Sequence, residues 1–222
     1  MIRLNFVVEG KTEQAFIRDV IAPYLSEYSI FATARCVETG RKKSRIYRGG
    51  ISKYEKVRRD IIRWISQEQS RNVFFTCMFD LYRLPDTFPG YSDAVKYSNP
   101  SQQASIIEDC LCKDIAHPRD RFIPYIQLYE FEALLFSSPK SIVSRFPSQS
   151  SIINQIIEIN NQFDTPEHIN LDNPPSKRLI SLIPNYNKAK DGTSITSIIG
   201  IDTIRQECPH FNNWIKKLES LK

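Results

Sequence analysis

The stretch Val73-Phe74-Phe75-Thr76-Cys77-Met78-Phe79 is an almost unbroken apolar run with polar residues on both sides. A strand with one wet face alternates apolar and polar residues. An unbroken run belongs to a strand buried on both faces, as in parallel sheets. Parallel strands need crossover connections, usually helical, so this run constrains the sequence around it. Ile2–Val8 reads as a first strand. Phe16, Ile17, Val20, Ile21 and Leu25 then follow helical spacing from Thr12, the expected N-cap, to about Ser26. Pro23 predicts a kink or an early end there. Ile30–Val37 is a second strand, and Glu38–Gly50 reads as a basic, Gly-punctuated loop. Ser52 and Glu55 have capping-box spacing and open a helix to about Gln69, with Tyr54, Val57, Ile61 and Ile65 inward.

After the Val73–Phe79 strand, Leu84–Pro100 is a loop rich in Pro, Gly and Tyr. A helix is expected from Ser101 to about Ala116, a fourth strand over Phe122–Leu128, and a helical turn from Phe131 to Phe136. Strand and helix therefore alternate through residue 136, which predicts an α/β fold with a largely parallel sheet flanked by helices. From residue 137 strand signals stop, and short helical stretches alternate with Pro, Asn and Ser. The expected organisation is an α/β core over 1–136, with a helical C-terminal region over 137–222 packed on it.

The chain has 222 residues and 41% hydrophobic content, enough for one large domain or a domain with an appendage. No stretch approaches the roughly 18 apolar residues of a membrane span, and the first residues lack a signal-peptide layout. The five cysteines are scattered, and Cys110-x-Cys112 is neither a zinc nor a thioredoxin spacing. Cys77 sits inside an apolar strand, where a small buried hydrophobe is expected. A reducing cytoplasm fits this usage. No Walker A or Rossmann glycine pattern is present, so ATP hydrolysis by this chain alone is not expected.

Three of the four strand candidates end at carboxylates: Glu9, Asp80, and Glu130 with Glu132. Ligands of open α/β sheets sit at the carboxyl ends of strands. Parallel strands would bring these groups to one edge, where crowded negative charge calls for a cation. Carboxylate oxygens favour hard cations such as Mg²⁺ or Mn²⁺, and such sites suit phosphoryl chemistry. Singly, each residue is more simply a helix-start carboxylate favoured by the helix dipole, a reading that explains four in register at strand ends less well. Glu13 is a second-shell candidate or an ordinary first-turn charge, and Lys11 a phosphate contact or an exposed lysine.

Net charge is only +5, but Arg35, Arg41, Lys42, Lys43, Arg45, Arg48, Lys53, Lys56, Arg58, Arg59 and Arg63 crowd one region. That is either a solvated face or a surface for a nucleic-acid backbone. Lys177, Arg178, Lys188 and Lys190 form a second basic set, read as closing over a phosphate or as solvated. His210, after Cys208-Pro209, makes no nucleophile dyad by spacing. Phe211, Trp214 and Leu218 have core spacing.

The pieces Val8-Glu9-Gly10-Lys11-Thr12-Glu13 and Phe79-Asp80-x-Tyr82 resemble the TOPRIM domain of topoisomerases, primases and nucleases of the overcoming-lysogenisation-defect type. With Glu130-Phe131-Glu132, Pro175-Ser176-Lys177-Arg178-Leu179 and Cys208-Pro209-His210-Phe211-x-x-Trp214, the whole chain resembles a bacterial TOPRIM-like family of unknown function, often encoded beside ATPases and in defence loci. The resemblance implies Glu9 as a metal ligand or general acid/base and Asp80 as a metal ligand. It also implies a Mg²⁺ or Mn²⁺ cofactor, a nucleic-acid substrate (DNA or RNA) and an ATPase partner. One position departs: Tyr82 stands where the family pattern has a second Asp, and Glu130 or Glu132 is the candidate replacement. The leading expectation is a metal-dependent nuclease using Glu9, Asp80 and Glu130/Glu132, with Lys11 and Arg41–Arg48 on the phosphates and Tyr82 beside the site. The rivals are a degenerate TOPRIM module that binds without cutting, and a phosphate-ester enzyme acting on small molecules.

Overall fold

The structure is a computed structural model that describes residues 1–42, 45–48, 50–68, 70–82, 84–115, 121–169 and 172–221; for 39–42 and 45–48 the description is of the backbone. In chain order the elements begin β1 (Ile2–Val8), α1 (Lys11–Phe16), a π-helical turn (Ile17–Ile21) and α2 (Ala22–Ser26). Next come β2 (Ile30–Cys36), β3 (Glu38–Lys42), β4 (Arg45–Arg48), α3 (Tyr54–Gln67), β5 (Val73–Asp80), α4 (Tyr91–Ala94) and α5 (Pro100–Ile115). Then follow β6 (Phe122–Ile123), β7 (Ile126–Gln127), a 3₁₀ helix (Phe131–Ser137), α6 (Pro139–Arg145) and α7 (Ile153–Asn160). The chain ends with α8 (Pro175–Leu182), a π-helical turn (Lys188–Gly192), α9 (Thr193–Ile199), α10 (Ile201–Glu207) and α11 (Pro209–Glu219). Among the described residues no strand follows Gln127, and no helix is long and apolar enough to cross a membrane.

The α/β architecture expected from the strand runs is the one observed. The sheet is parallel throughout, in the order β2-β1-β5-β6 with β7 also on β5. β5 is central, as its unbroken apolar run demands. Its side chains alternate between two cores. Val73, Phe75, Cys77 and Phe79 join Val57, Ile61 and Trp64 of α3 and Ala104, Ile107 and Leu111 of α5. Phe74 and Met78 face the opposite side, with Leu4, Phe6 and Val8 of β1. That second core also holds Phe16 and Ile17, Phe131–Phe136 and, from the C-terminal helices, Leu179, Ile195, Phe211 and Trp214. Parity therefore places Asp80 on the face covered by the C-terminal helices.

Several local expectations are corrected. The first helix begins at Lys11 with Gly10, not Thr12, as N-cap; the Glu13 carboxylate accepts the Gly10 N–H at 2.8 Å, one half of a capping box. The helix does not end at Pro23, which falls in the first turn of α2; the irregularity lies just before it, in the π turn Ile17–Ile21. The Ser52 capping box does not form: Lys53 is the N-cap of α3, and Ser52 takes the Lys56 ammonium instead. The fourth strand is split into β6 and β7 at Pro124, which has no N–H to give to the ladder. The stretch read as a loop carries the antiparallel pair β3–β4. Lys43 and Gly49 lie outside the described residues, as does His117. All five cysteines are free, with Cys77 buried.

Candidate functional site

Glu9 and Asp80 meet because of strand register. Val8 pairs with Met78, so β1 stops two residues short of the end of β5. Along β5 the N–H groups point alternately to the two neighbours. Those of Phe79 and Leu81 go to Tyr125 and Gln127. The N–H of Asp80 therefore points toward β1, which has already ended, and the Glu9 carboxylate takes it. The Ile51 N–H reaches the same carboxylate. Burial still raises the Glu9 pKa, against these two N–H groups and Lys188.

Asp80 is less well served. Its Oδ1 is sealed from solvent and has no hydrogen-bond partner. Desolvation pushes its pKa well up, and the charges of Glu13, Glu9, Glu132 and Glu130 push it further. Those four residues identify the neighbourhood. Glu13 is buried, and desolvation with the Glu9 charge raises its pKa. Glu132, at 3% exposure, is raised to about 7, chiefly by burial. Glu130 is buried too, but its Oε2 accepts the Ser176 N–H at 3.0 Å and so caps the start of α8.

The turn after β7 separates Glu130 from Glu132. Tyr129 takes a left-handed conformation (φ 59°), Glu130 is extended, and Glu132 lies in the first turn of the 3₁₀ helix. The two carboxylates consequently have different partners. Glu132 meets Lys188, whose Nζ lies 3.4 Å from Oε1. Lys188 is held there by the geometry of its π turn. Asp191 accepts the Asn187 N–H at 2.8 Å and the Arg145 guanidinium at 2.8 Å. At Gly192 a Cβ would stand 3.3 Å from the Tyr186 hydroxyl and 3.4 Å from Phe131, so glycine lets the turn press against Tyr186 and the 3₁₀ helix. Desolvation would lower the Lys188 pKa, but Glu132 and Glu130 outweigh it and the net shift is upward. The Tyr186 hydroxyl, also sealed and without a partner, is raised by burial and then by Glu132, Asp191 and Glu130.

The structure thus brings together Glu9, Glu13, Asp80, Glu130 and Glu132, and adds Lys188 and Tyr186. Lys188 was visible in the sequence only as one member of a basic set, and Tyr186 carried no signal. Lys11 is exposed in the first turn of α1, one residue beyond Gly10. Lys177 is exposed on α8, while Arg178 is tied to the Asn173 carbonyl at 2.6 Å and lies over the Phe163 ring. Arg41, Lys42, Arg45 and Arg48 sit on the β3–β4 pair. Tyr82 lines a cavity with Tyr91 and Tyr129.

Among the described residues no three His, Cys, Asp or Glu side chains stand close enough to grip one ion. Each carboxylate except Asp80 has turned to an N–H or an ammonium. The donors nevertheless fit a hard cation in kind. Magnesium keeps several waters and is commonly held by one or two carboxylates together with substrate phosphates. The partnerless Asp80 Oδ1 beside Glu9 meets that requirement.

The sequence profile of a family described as a domain of unknown function, DUF4276, matches residues 8–219. The chain belongs to this family. The DUF4276 chain is also similar to solved C-terminal regions of OLD proteins. For that of Burkholderia pseudomallei the identity is 13%, covering 98% of this chain and 99% of the other, with a TM-score of 0.44. For one structure of the Xanthomonas campestris pv. campestris protein the figures are 14%, 97%, 95% and 0.41. A comparison with curated proteins gives no match.

Proposed function

We propose that this DUF4276 protein is a metal-dependent nuclease that cleaves nucleic-acid phosphodiester bonds, with Glu9 and Asp80 holding Mg²⁺ or Mn²⁺. The observation that carries the reading is Asp80 Oδ1, a carboxyl oxygen sealed from water, without a hydrogen-bond partner, among four other carboxylates that oppose its ionisation. Such a group is costly unless a cation joins it. A bound ion there would polarise a phosphoryl oxygen and lower the pKa of a water. Glu130 and Glu132 lie close enough to add to the field, and Glu13 fixes the Gly10 turn that follows Glu9.

The remaining roles fall to this chain's cations. Lys188 neutralises Glu132 in the structure and is placed to hold a phosphate oxygen at the acidic edge. Lys11 stands at the start of α1, and Arg41, Lys42, Lys43, Arg45 and Arg48 would track the phosphate backbone, with Lys177 and Arg178 a second contact set. Such contacts make binding strongly salt-dependent. The number of basic residues over 41–48 favours a polymer, DNA or RNA, over a small phosphate ester. In this reading residues 1–136 supply the catalytic carboxylates and 137–222 supply Lys188. The protein works in the cytoplasm, as the effector of an ATPase-linked bacterial defence system; that role rests on the TOPRIM-like resemblance alone.

The test is cleavage of plasmid and tRNA in Mg²⁺ or Mn²⁺ by wild type, Glu9→Gln and Asp80→Asn. The expected result is metal-dependent cleavage that falls on the order of 100-fold or more in either variant. Equal activity in all three proteins would remove both residues from the reaction. A second reading, a degenerate module that binds without cutting, is favoured by Tyr82, a tyrosine-lined cavity residue at the position where the resembled pattern has a second Asp. Salt-sensitive binding with no cleavage in either metal would establish it.

A further inference from the structure

The Tyr82 cavity has a chemistry unlike the acidic edge beside it. It encloses about 410 Å³, and its walls are Leu81, Tyr82, Tyr91, Ala94, Val95, Gln103, Ile107 and Tyr129. Three are aromatic, one is an amide, and none is charged. A phosphate or carboxylate would find no counter-charge there. A flat, uncharged ring with a hydrogen-bonding edge would find ring faces to stack on and an amide to meet its edge. Stacking on aromatic side chains is how proteins hold unpaired bases.

The position of the cavity matters equally. Leu81 and Tyr82 directly follow Asp80, and Tyr129 directly precedes Glu130. The two flanking segments are joined by a hydrogen bond from the Tyr82 N–H to the Tyr129 carbonyl, at 2.9 Å. The left-handed backbone at Tyr129 is unusual for a bulky residue and holds its ring at this wall. A nucleotide whose base entered the cavity would present its phosphate next door, at the carboxylates. We propose that this cavity is a nucleobase subsite and that the protein acts on unpaired nucleotides, in single strands or strands with a splayed base. This deepens the nuclease reading and rests on it for the site's purpose. It also gives Tyr82 a role where the resembled pattern has a metal-binding Asp: the side chain serves the base and not the ion.

The experiment compares binding of three fluorescein-labelled 12-nucleotide probes in EDTA, where no cleavage can interfere: a single strand, its duplex, and an abasic strand with the same phosphates. Wild type should bind the single strand roughly 10-fold more tightly than the abasic strand, the scale of one base stacked on an aromatic ring. It should also bind the single strand more tightly than the duplex. Tyr91→Ala should erase the difference and leave abasic binding unchanged, while Tyr91→Phe should keep it. If Tyr91→Ala does not fold, Val95→Trp provides the same test by filling the cavity from its rim, where Val95 is 54% exposed. Equal affinity for the single and abasic strands, or a preference untouched by Val95→Trp, overturns the subsite; a cavity built for a protein partner's aromatic side chain would give the first result. Cleavage without base-dependent binding overturns this proposal alone, whereas base-dependent binding without cleavage overturns the nuclease reading alone.

Discussion

The backbone N–H of Asp80 faces the Glu9 carboxylate, while the Oδ1 of Asp80 faces no donor at all. One residue thus stabilises its neighbour's charge while its own carboxyl is pushed toward the neutral form. The arrangement follows from β1 ending before β5, which frees an N–H for Glu9 but aims the Asp80 side chain under the C-terminal helices. A fold optimised for stability alone would place an amide or an apolar group there.

Asp80→Asn should therefore raise stability without metal as pH rises, because it removes a carboxyl whose ionisation is opposed by burial and by the charges of Glu13, Glu9, Glu132 and Glu130. A gain of about 1 kcal/mol would move the melting temperature by roughly 2–4 °C in a chain of this size. The same variant should lose the thermal shift that Mg²⁺ or Mn²⁺ gives the wild type. Thermal melts with and without metal check both effects. A variant that melts lower than wild type in EDTA would show that Asp80 has a partner of a different kind.

Lys188→Gln removes the ammonium that faces Glu132. The Glu132 pKa is raised from 4.5 to about 7, mainly by burial. For a raised carboxylate, stability is fully present below 4.5 and is lost as pH rises through about 7. Without Lys188 the loss should grow, so the variant should match wild type near pH 4.5 and melt lower at pH 8. Lys188 has a 47% exposed side chain, so the deficit should stay near the 2–4 °C of one partly solvated ion pair. An equal deficit at both pH values would exclude this pairing.

His210 gives a pH dependence of the same sign from a different place. Its Nε2 lies 3.0 Å from Glu108 Oε1 and 3.1 Å from the Ile126 carbonyl, and its ring stacks on Tyr125. Glu167 faces it as well, and caps α11 by accepting the His210 and Phe211 N–H groups. Desolvation lowers the imidazole pKa, but Glu108 and then Glu167 outweigh it, and the net shift is upward. The contribution is complete below the ordinary value of 6.5 and disappears as pH rises through the raised value. Urea midpoints should fall across that range in wild type, and His210→Gln should flatten the curve. Parallel curves for the two proteins would rule out this histidine.

What the sequence disclosed and what it hid divide along physical lines. β5 was legible because burial on both faces leaves an unbroken apolar run, and the carboxylates at the ends of β1 and β5 followed from parallel pairing. The β3–β4 pair was not, because Glu38–Lys42 has no apolar residue and Arg45–Arg48 has Ile46 and Tyr47 side by side, so neither shows the alternation that marks a strand. Pro124 is the local signal for the split of the last strand, since it has no N–H for the ladder. The approach of Lys188 to Glu132 could not be read at all, since nothing local couples residues 56 positions apart. Only the packing of Gly192 and the Asp191–Arg145 pair places that turn.

Trp214 tests whether the C-terminal helices and the sheet are one cooperative unit. Its indole stacks on Tyr125 at 4.2 Å and meets Phe6 edge-on at 5.8 Å, and its Nε1 donates to Thr76 Oγ1 on β5 at 3.0 Å. Trp214→Ala should cost about 3–5 kcal/mol through the cavity it leaves. Trp214→Phe keeps a ring and loses chiefly the hydrogen bond, about 1 kcal/mol. Because Trp214 shares its core with Leu4, Phe6 and Met78, both variants should still unfold in a single urea transition seen alike by near- and far-UV circular dichroism. Two separated transitions in Trp214→Ala, with the sheet surviving the first, would mean that the helices dock on an independently stable α/β layer and that Lys188 can leave the carboxylates without unfolding them.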